Sequence, residues 1–219
     1  FLLTSVDNGR GLRTTLYYRP STAYYHADLA AGIPWLTRLP FPLQVVAKAV
    51  TTDVVAQTTL AQTWQYRHGF FDGEEREFRG FGFVEEADAE SLDADLGIGT
   101  YADKPPVDGD QFRLPPVVTR TWYHLGDFED AVRIRQGYAA DYNTGPGGVA
   151  QLIGDAELPA GDATAADDLR EAYRALRGSV VRQEVYARDK TALEDRPYVV
   201  RQERQAGRLV QPKGAQRHA

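Results

Sequence analysis

The chain contains neither cysteine nor methionine. Without cysteine, disulfide staples, thiolate nucleophiles and Cys-type zinc sites are excluded, and the redox compartment stays undecided. An open reading frame starts with methionine. Its absence, with Phe1-Leu2-Leu3 opening directly into apolar residues, makes a processed chain or a piece of a longer protein the expectation. No apolar run approaches the roughly twenty residues of a membrane-spanning helix, so direct membrane insertion is not expected. Basic charge is outnumbered, with 25 lysines and arginines against 31 acidic residues. A net charge of −6 and a pI near 5.3 leave no basic stripe, which argues against nucleic-acid partners. What remains is an ordinary globular mixture, 42% hydrophobic and 26% charged, over 219 residues, enough for one large β domain or two small ones.

One stretch organises the rest. Leu60, Trp64 and Tyr66 alternate with Ala61, Thr63, Gln65 and Arg67, a period of two that predicts a strand with one buried face. Phe71-Asp72-Gly73-Glu74 predicts a turn, with a positive φ assigned to Gly73. In the returning strand, Phe78, Gly80, Gly82 and Val84 fall on one face, and Arg79, Phe81 and Phe83 on the other. Glycines inside a strand mark a bulge or a close backbone approach, and their alternation with aromatics predicts rings lying over bare backbone. A lone hairpin is marginal in water, so this one is expected to pair with more sheet.

The same hairpin carries Asp72, Glu74, Glu75, Glu77, Glu85 and Glu86 among Arg67, Arg76 and Arg79. A glycoside hydrolase would use two such carboxylates, for example Glu75 or Glu77 with an acidic partner. Interleaved signs at this density favour an ion-paired rim instead. His68 has no serine or cysteine elbow to serve as its nucleophile, so a structural role is expected. Asp7-Asn8-Gly9 faintly resembles a calcium loop but lacks the later ligand positions, and Asp93 with Asp95 has no further ligands fixed by spacing. No catalytic, cofactor-binding or metal-binding residue is assigned.

Taken in order, the chain reads as hairpin after hairpin. Residues 2–6 and 14–19 predict strands around an Asn8-Gly9 turn of the type I′ kind. Residues 20–32 predict a loop. Residues 33–42 hold Pro34, Pro40 and Pro42 between Trp35, Leu36, Leu39 and Phe41; the prolines forbid helix, and the apolar residues predict a strap laid over the core. A polyproline ligand is the other reading of that segment. Residues 43–52 predict a strand. Residues 87–110 turn acidic and small, predicting a long exposed loop. Residues 114–124 predict a strand with Val118, Arg120 and Trp122 on one face. A short helix is expected within 127–142, carried by Phe128, Ala131, Val132 and Arg135. The clearest helix is 165–177, with Thr164 and Asp167 as a capping pair, Leu169, Ala172, Tyr173 and Leu176 as its apolar face, and Gly178 closing it. Strands follow at 180–187 and 198–203, a short one at 208–210, and a loose tail at 212–219. The expected architecture is mainly β, successive antiparallel hairpins in a curved sheet with one or two short helices. Its expected parts are 1–86, the acidic loop 87–110, a continuing β segment 111–211, and the tail.

Several runs resemble one family. Tyr66-Arg67-His68-Gly69-Phe70-Phe71-Asp72-Gly73 with Arg76-Glu77-Phe78-Arg79-Gly80-Phe81-Gly82 is similar to the hallmark of the middle region of the B component of bacterial Tc insecticidal toxins, shared with SpvB- and Rhs-like proteins. Leu3-Thr4-Ser5-Val6-Asp7-Asn8-Gly9, the run from Trp35 through Pro40 and Pro42, Thr119-Arg120-Thr121-Trp122-Tyr123-His124 and Leu176-Arg177-Gly178 extend the likeness in register. The resemblance implies a segment after a propeller, where Rhs or YD-repeat strands of the B and C components begin a hollow β-shell around a cytotoxic C-terminal cargo. It implies the C component and the pore-forming A component as partners, a secreted bacterial virulence protein, and no enzyme. Two other functions stay open on residues alone. One is a carbohydrate-binding or adhesion module using Trp35, Trp64 and Trp122, which requires exposed rings. The other is the hydrolase, which requires facing carboxylates, one with a raised pKa.

Overall fold

The computed structural model describes residues 1–56, 58–89, 115–145, 154, 156–158 and 166–214. Among these, eight strands form one open, curved antiparallel sheet in which each strand pairs with the next in sequence. They are β1 (Ser5–Asp7), β2 (Leu12–Pro20), β3 (Gln44–Asp53), β4 (Thr58–Asp72), β5 (Glu77–Ala89), β6 (Val117–Tyr123), β7 (Val180–Ala187) and β8 (Val199–Gln202). Three short helices sit in two of the connections: α1 (Ser21–Ala30) between β2 and β3, and α2 (Ala131–Asp141) and α3 (Ala166–Ala175) between β6 and β7. The meander follows from the sequence, since each period-two run is joined to the next by a turn or a helical detour.

The centre is the β4–β5 hairpin, fifteen residues against thirteen. Its register shifts at Phe70 and Phe71, which face Gly80 and Phe78, so Arg79 is the extra residue of a bulge. Gly80 adopts φ +99°, the backbone that the bulge needs. The bulge breaks the expected alternation: Phe78 and Phe81, assigned to opposite faces by counting, meet edge to face at 5.7 Å. The turn is also closed differently. Asp72 Oδ1 accepts the Glu74 and Glu75 N–H groups at 2.9 and 3.0 Å, and the positive φ falls on Arg76 (+55°) rather than Gly73. At the first hairpin, Asn8 Oδ1 accepts the Arg10 and Leu12 N–H groups at 2.8 and 3.0 Å. Only Gly9 of the Asn8-Gly9 pair has positive φ, so the turn is longer than type I′.

Helix α1 replaces the loop expected at 20–32. Pro20 leads into it, and Ser21, buried at its start, binds Leu43 through both N–H and Oγ. It ends in a Schellman closure, with Ile33 N–H on Asp28 O at 2.8 Å, Gly32 N–H on Leu29 O at 3.1 Å, and Gly32 at φ +76°. Helix α2 occurs where expected but turns a different face inward. Ile134 and Tyr138 are buried while Val132 is 59% exposed. With Tyr142, these two pack on Phe83, Trp122 and Leu125 to make the core cluster. Helix α3 also forms as expected, but its buried residues are Asp168 and Glu171; its proposed capping residue Thr164 lies outside the described residues, as does most of the acidic stretch, whose first residues, 87–89, belong to β5. Residues 208–210 form no strand.

Candidate functional site: the strapped hairpin

The extended strap of residues 33–42 crosses β4, and it is the glycine of β4 that admits it. An added Cβ at Gly69 would stand 3.0 Å from Leu39 Cδ2 and Phe81 Cε1 and 3.1 Å from Trp35 Cζ3. The Thr37 hydroxyl donates to Gly69 O at 3.0 Å, Phe71 N–H to Arg38 O at 3.2 Å, and Leu36 N–H to His68 Nδ1 at 3.1 Å. Above this backbone the rings interlock. Phe81 lies 5.0 Å from Tyr66 and 6.2 Å from Trp35, and Trp35 lies edge-on to Tyr25 at 5.4 Å. The Trp35 indole N–H is held by Asp28 at 2.7 Å, and Asp28 also pairs with Arg67 at 3.3 Å. The Tyr66 hydroxyl donates to Val46 O at 2.9 Å, and burial, with Tyr24 and Glu86 nearby, pushes its pKa up to about 12.

Helix α2 completes the cover. Arg133 donates to Leu36 O at 2.8 Å, and Gly82 lies so close beneath Tyr138 that any Cβ would overlap the Tyr138 hydroxyl. His68 is sealed here, 1% exposed and at φ +57°. Burial pushes its imidazole down to about 4, with the Arg67 charge adding to the effect, so at neutral pH the ring is uncharged and accepts the Leu36 amide.

A second group closes the hairpin end. Arg79, fully buried at the bulge, reaches the Gly126 carbonyl and pairs with Asp72 at 2.7 Å and Glu77 at 3.6 Å. Glu77 also meets Arg174 at 3.2 Å and Arg177 at 2.5 Å on the α3 side. Burial raises the Glu77 carboxyl, but the Arg174 hydrogen bond and the charges of Arg174, Arg177 and Arg79 outweigh it and hold it below its ordinary value. A glycosidase acid needs the opposite shift. The hydrolase reading of Glu77 therefore loses its proton donor.

Of the residues singled out in the sequence, Trp35, Tyr66, Gly69, Phe78 and Phe81 converge in the aromatic cluster, and Asp72, Glu77 and Arg79 in the charged one. Gly80 and Gly82 serve as bulge and close approach. Gly73 and Arg76 lie exposed in the turn, Pro40 and Pro42 exposed in the strap. Trp122 belongs to a separate core cluster, 5.1 Å from Phe83 and 5.0 Å from Tyr142. With Trp122 1% exposed and Trp35 and Trp64 half-buried, the three tryptophans present no open platform for a sugar.

The sequence reading missed a buried polar row on β7. Arg182 Nε binds Glu184 Oε1 at 2.6 Å, the Tyr186 hydroxyl binds Glu184 Oε2 at 2.5 Å, and Asn143 N–H adds a third bond at 3.0 Å. The Arg182 guanidinium lies 4.6 Å over the Tyr142 ring. The signal was present: Arg182, Glu184 and Tyr186 share one face by period two, alternating with Val181, Gln183 and Val185.

This architecture has relatives. Residues 1–104 match the model of the insecticide toxin TcdB middle/N-terminal region, and residues 171–219 that of the TcdB middle/C-terminal region. The chain belongs to the TcdB middle region. Among solved structures it is similar to a chain of the TcdB2-TccC3 complex, at 27% identity and TM-score 0.71 over 94% of this chain and 10% of that one. It is equally similar to a chain of the Photorhabdus luminescens Tc holotoxin pore, at 27% identity and TM-score 0.72 over 94% of this chain and 9% of that one. It thus spans about a tenth of the length of the chains it matches. No curated protein matches it.

Proposed function

We propose that this TcdB middle region is a wall segment of a Tc toxin shell, and that its work is lateral strand pairing rather than catalysis. The observation that carries the reading is the open sheet. Among the described residues, β1 and β8 each pair on one side only, and apolar side chains stand exposed at both borders: Leu2 at 51%, Leu3 at 60% and Val6 at 51% beside β1, and Tyr198 at 60%, Val199 at 45% and Val200 at 46% at β8. Unpaired edges of this kind are templates for further strands. On this reading the neighbouring strands come from the rest of the B component and from a C component. Together they enclose a cytotoxic cargo, the assembled shell docks on a pore-forming A component, and the whole is secreted. The hallmark residues of the strapped hairpin keep the wall rigid and dry; they bind no substrate.

The test is made at the β8 edge in the intact B component expressed with its C component. Replacing Val200 by Pro and, separately, Val199 by Lys should lower the yield of the B–C complex and leave the enclosed cargo open to protease. Complexes that form at parental yield and protect the cargo equally would overturn the proposal.

A further inference from the structure

Among the described residues, the polypeptide beyond β8 adds no further strand. It turns back across the sheet end. The Gln205 side-chain amide donates to Val180 O at 2.9 Å, its oxygen lies 3.0 Å from His124 Nε2, and Ala206 bridges in parallel to Glu157. The next fixed point is Lys213 on α3. Its backbone N–H donates to Asp168 Oδ1 at 2.7 Å, and its ammonium lies 3.4 Å from Glu171 Oε1. Between these anchors, residues 205–211 arch over Ala172 and Leu176 and bound a groove of about 920 Å³.

The placement of the two carboxylates calls for a cause. Asp168 and Glu171 are only 8% and 9% exposed, on a surface helix where acidic groups are ordinarily solvated. Removing a carboxylate from water is costly unless a donor or a cation replaces it. Lys213 supplies a donor to one and a cation to the other, with Arg174 as a second partner of Glu171 at 3.4 Å. A single residue thus engages both buried acids by two different groups.

We propose that Lys213, Asp168 and Glu171 form a latch that holds residues 203–213 closed over α3 as a strap. The latch sets the direction in which the polypeptide leaves the sheet, beside the Glu77 end of the central hairpin. It also keeps the residues that directly follow β8 from folding onto the outer edge of β8, leaving that edge to a different strand. The latch does not depend on what that strand is.

Hydrogen–deuterium exchange on the intact polypeptide tests it. In Asp168→Ala and Glu171→Ala, amides of residues 205–213 should exchange roughly tenfold faster, while β4 and β7 keep their protection. Alanine is the best helix former, so loss of α3 does not account for such a change. Lys213→Ala, which lies outside any helix or strand, removes the ammonium from Glu171 but keeps the backbone N–H on Asp168, so it should match Glu171→Ala and provides the readout should a helix variant unfold. Combining Lys213→Ala with Glu171→Ala should add little to either alone, as expected of coupled partners. Strap amides that exchange at the unprotected rate in the parent, single variants that leave them unchanged, or effects that simply add would each overturn the latch.

Discussion

Strands β4 and β7 belong to one sheet, and each is covered by chain outside it, β4 by the strap and β7 by the residues that follow α2, but the two rows are held by different forces. On β4 the row is glycine and aromatic: Gly69 admits Trp35 and Leu39, and Phe81 and Tyr66 close over them. On β7 it is ionic: Arg182, Glu184 and Tyr186, all 3% exposed or less, satisfy one another and Asn143. The first row is stabilised by shape and apolar burial, and it tolerates small repacking. The second has every group desolvated, so it stands or fails as a unit. A segment built this way tolerates small repacking under the strap, whereas the row on β7 holds only while every member is present.

The largest effect is expected where that contrast is sharpest. Glu184→Ala leaves the Arg182 charge buried without its carboxylate and should cost about 3–5 kcal/mol in denaturant unfolding. Replacing Glu77, whose Arg174 and Arg177 partners are partly solvated and whose buried partner Arg79 keeps Asp72 at 2.7 Å, should cost about 1 kcal/mol. Equal losses from the two would show that the ionic row on β7 is no more desolvated than the ion pairs at the hairpin end.

Proton uptake gives the next effect. His68 has its folded pKa pushed down to about 4 from 6.5, so the unfolded chain binds the proton more readily. The stability is complete above pH 6.5 and falls as pH drops toward 4, by about 3 kcal/mol if His68 alone sets the slope. His124 is lowered too, chiefly by burial and against its bond to Gln205, and steepens the same limb. His68→Asn keeps an acceptor for Leu36 N–H and tolerates the positive φ, so it should flatten the slope between pH 6.5 and 4 with little loss at pH 8. An unchanged slope in the variant would show that His68 is solvated in the folded protein. Steric substitutions should separate two glycines of the hairpin. Gly82→Ala drives a methyl into the Tyr138 hydroxyl and should cost about 2–3 kcal/mol, whereas Gly69→Ala asks only that Leu39, Phe81 and Trp35 yield a few tenths of an ångström and should cost about 1.

The two rows also differ in how far the sequence disclosed them. Alternation over β4 and β5, the bulge-marking glycines and the proline-spaced strap were legible because each rests on local chemistry: period two, positive φ, a missing N–H. Face assignment beyond Arg79 was not, since one extra residue in a bulge inverts every count that follows. Helix α1 was missed because only Ser21 and Tyr24 are buried, leaving no apolar stripe to detect; Pro20 at its start and Gly32 at its close were the available signs. The Arg182–Glu184–Tyr186 row was missed for the opposite reason. A charged face at period two reads as solvent-facing unless its partners are known, and here they come from Tyr142 and Asn143, some forty residues earlier in the chain. The pairing of Glu77 with Arg174 and Arg177 is equally invisible along the chain, since it is created by the return of α3 to the hairpin end.

The smallest expected effect concerns the strap itself. Thr37 is buried, and its hydroxyl donates to the Gly69 carbonyl at 3.0 Å. Thr37→Val preserves shape and volume and removes only that donor, so the expected loss is about 1 kcal/mol. Because the strap is also fixed by Leu36 N–H on His68 and by Arg38 O accepting the Phe71 N–H, the change should stay local. Amides of residues 35–39 should exchange faster while those of β7 keep parental rates, because packing carries the cover and each polar bond only fixes its position. Were β7 to loosen as well, the cover over β4 and the ionic row on β7 would be one cooperative unit, and the separation of the two rows would fail.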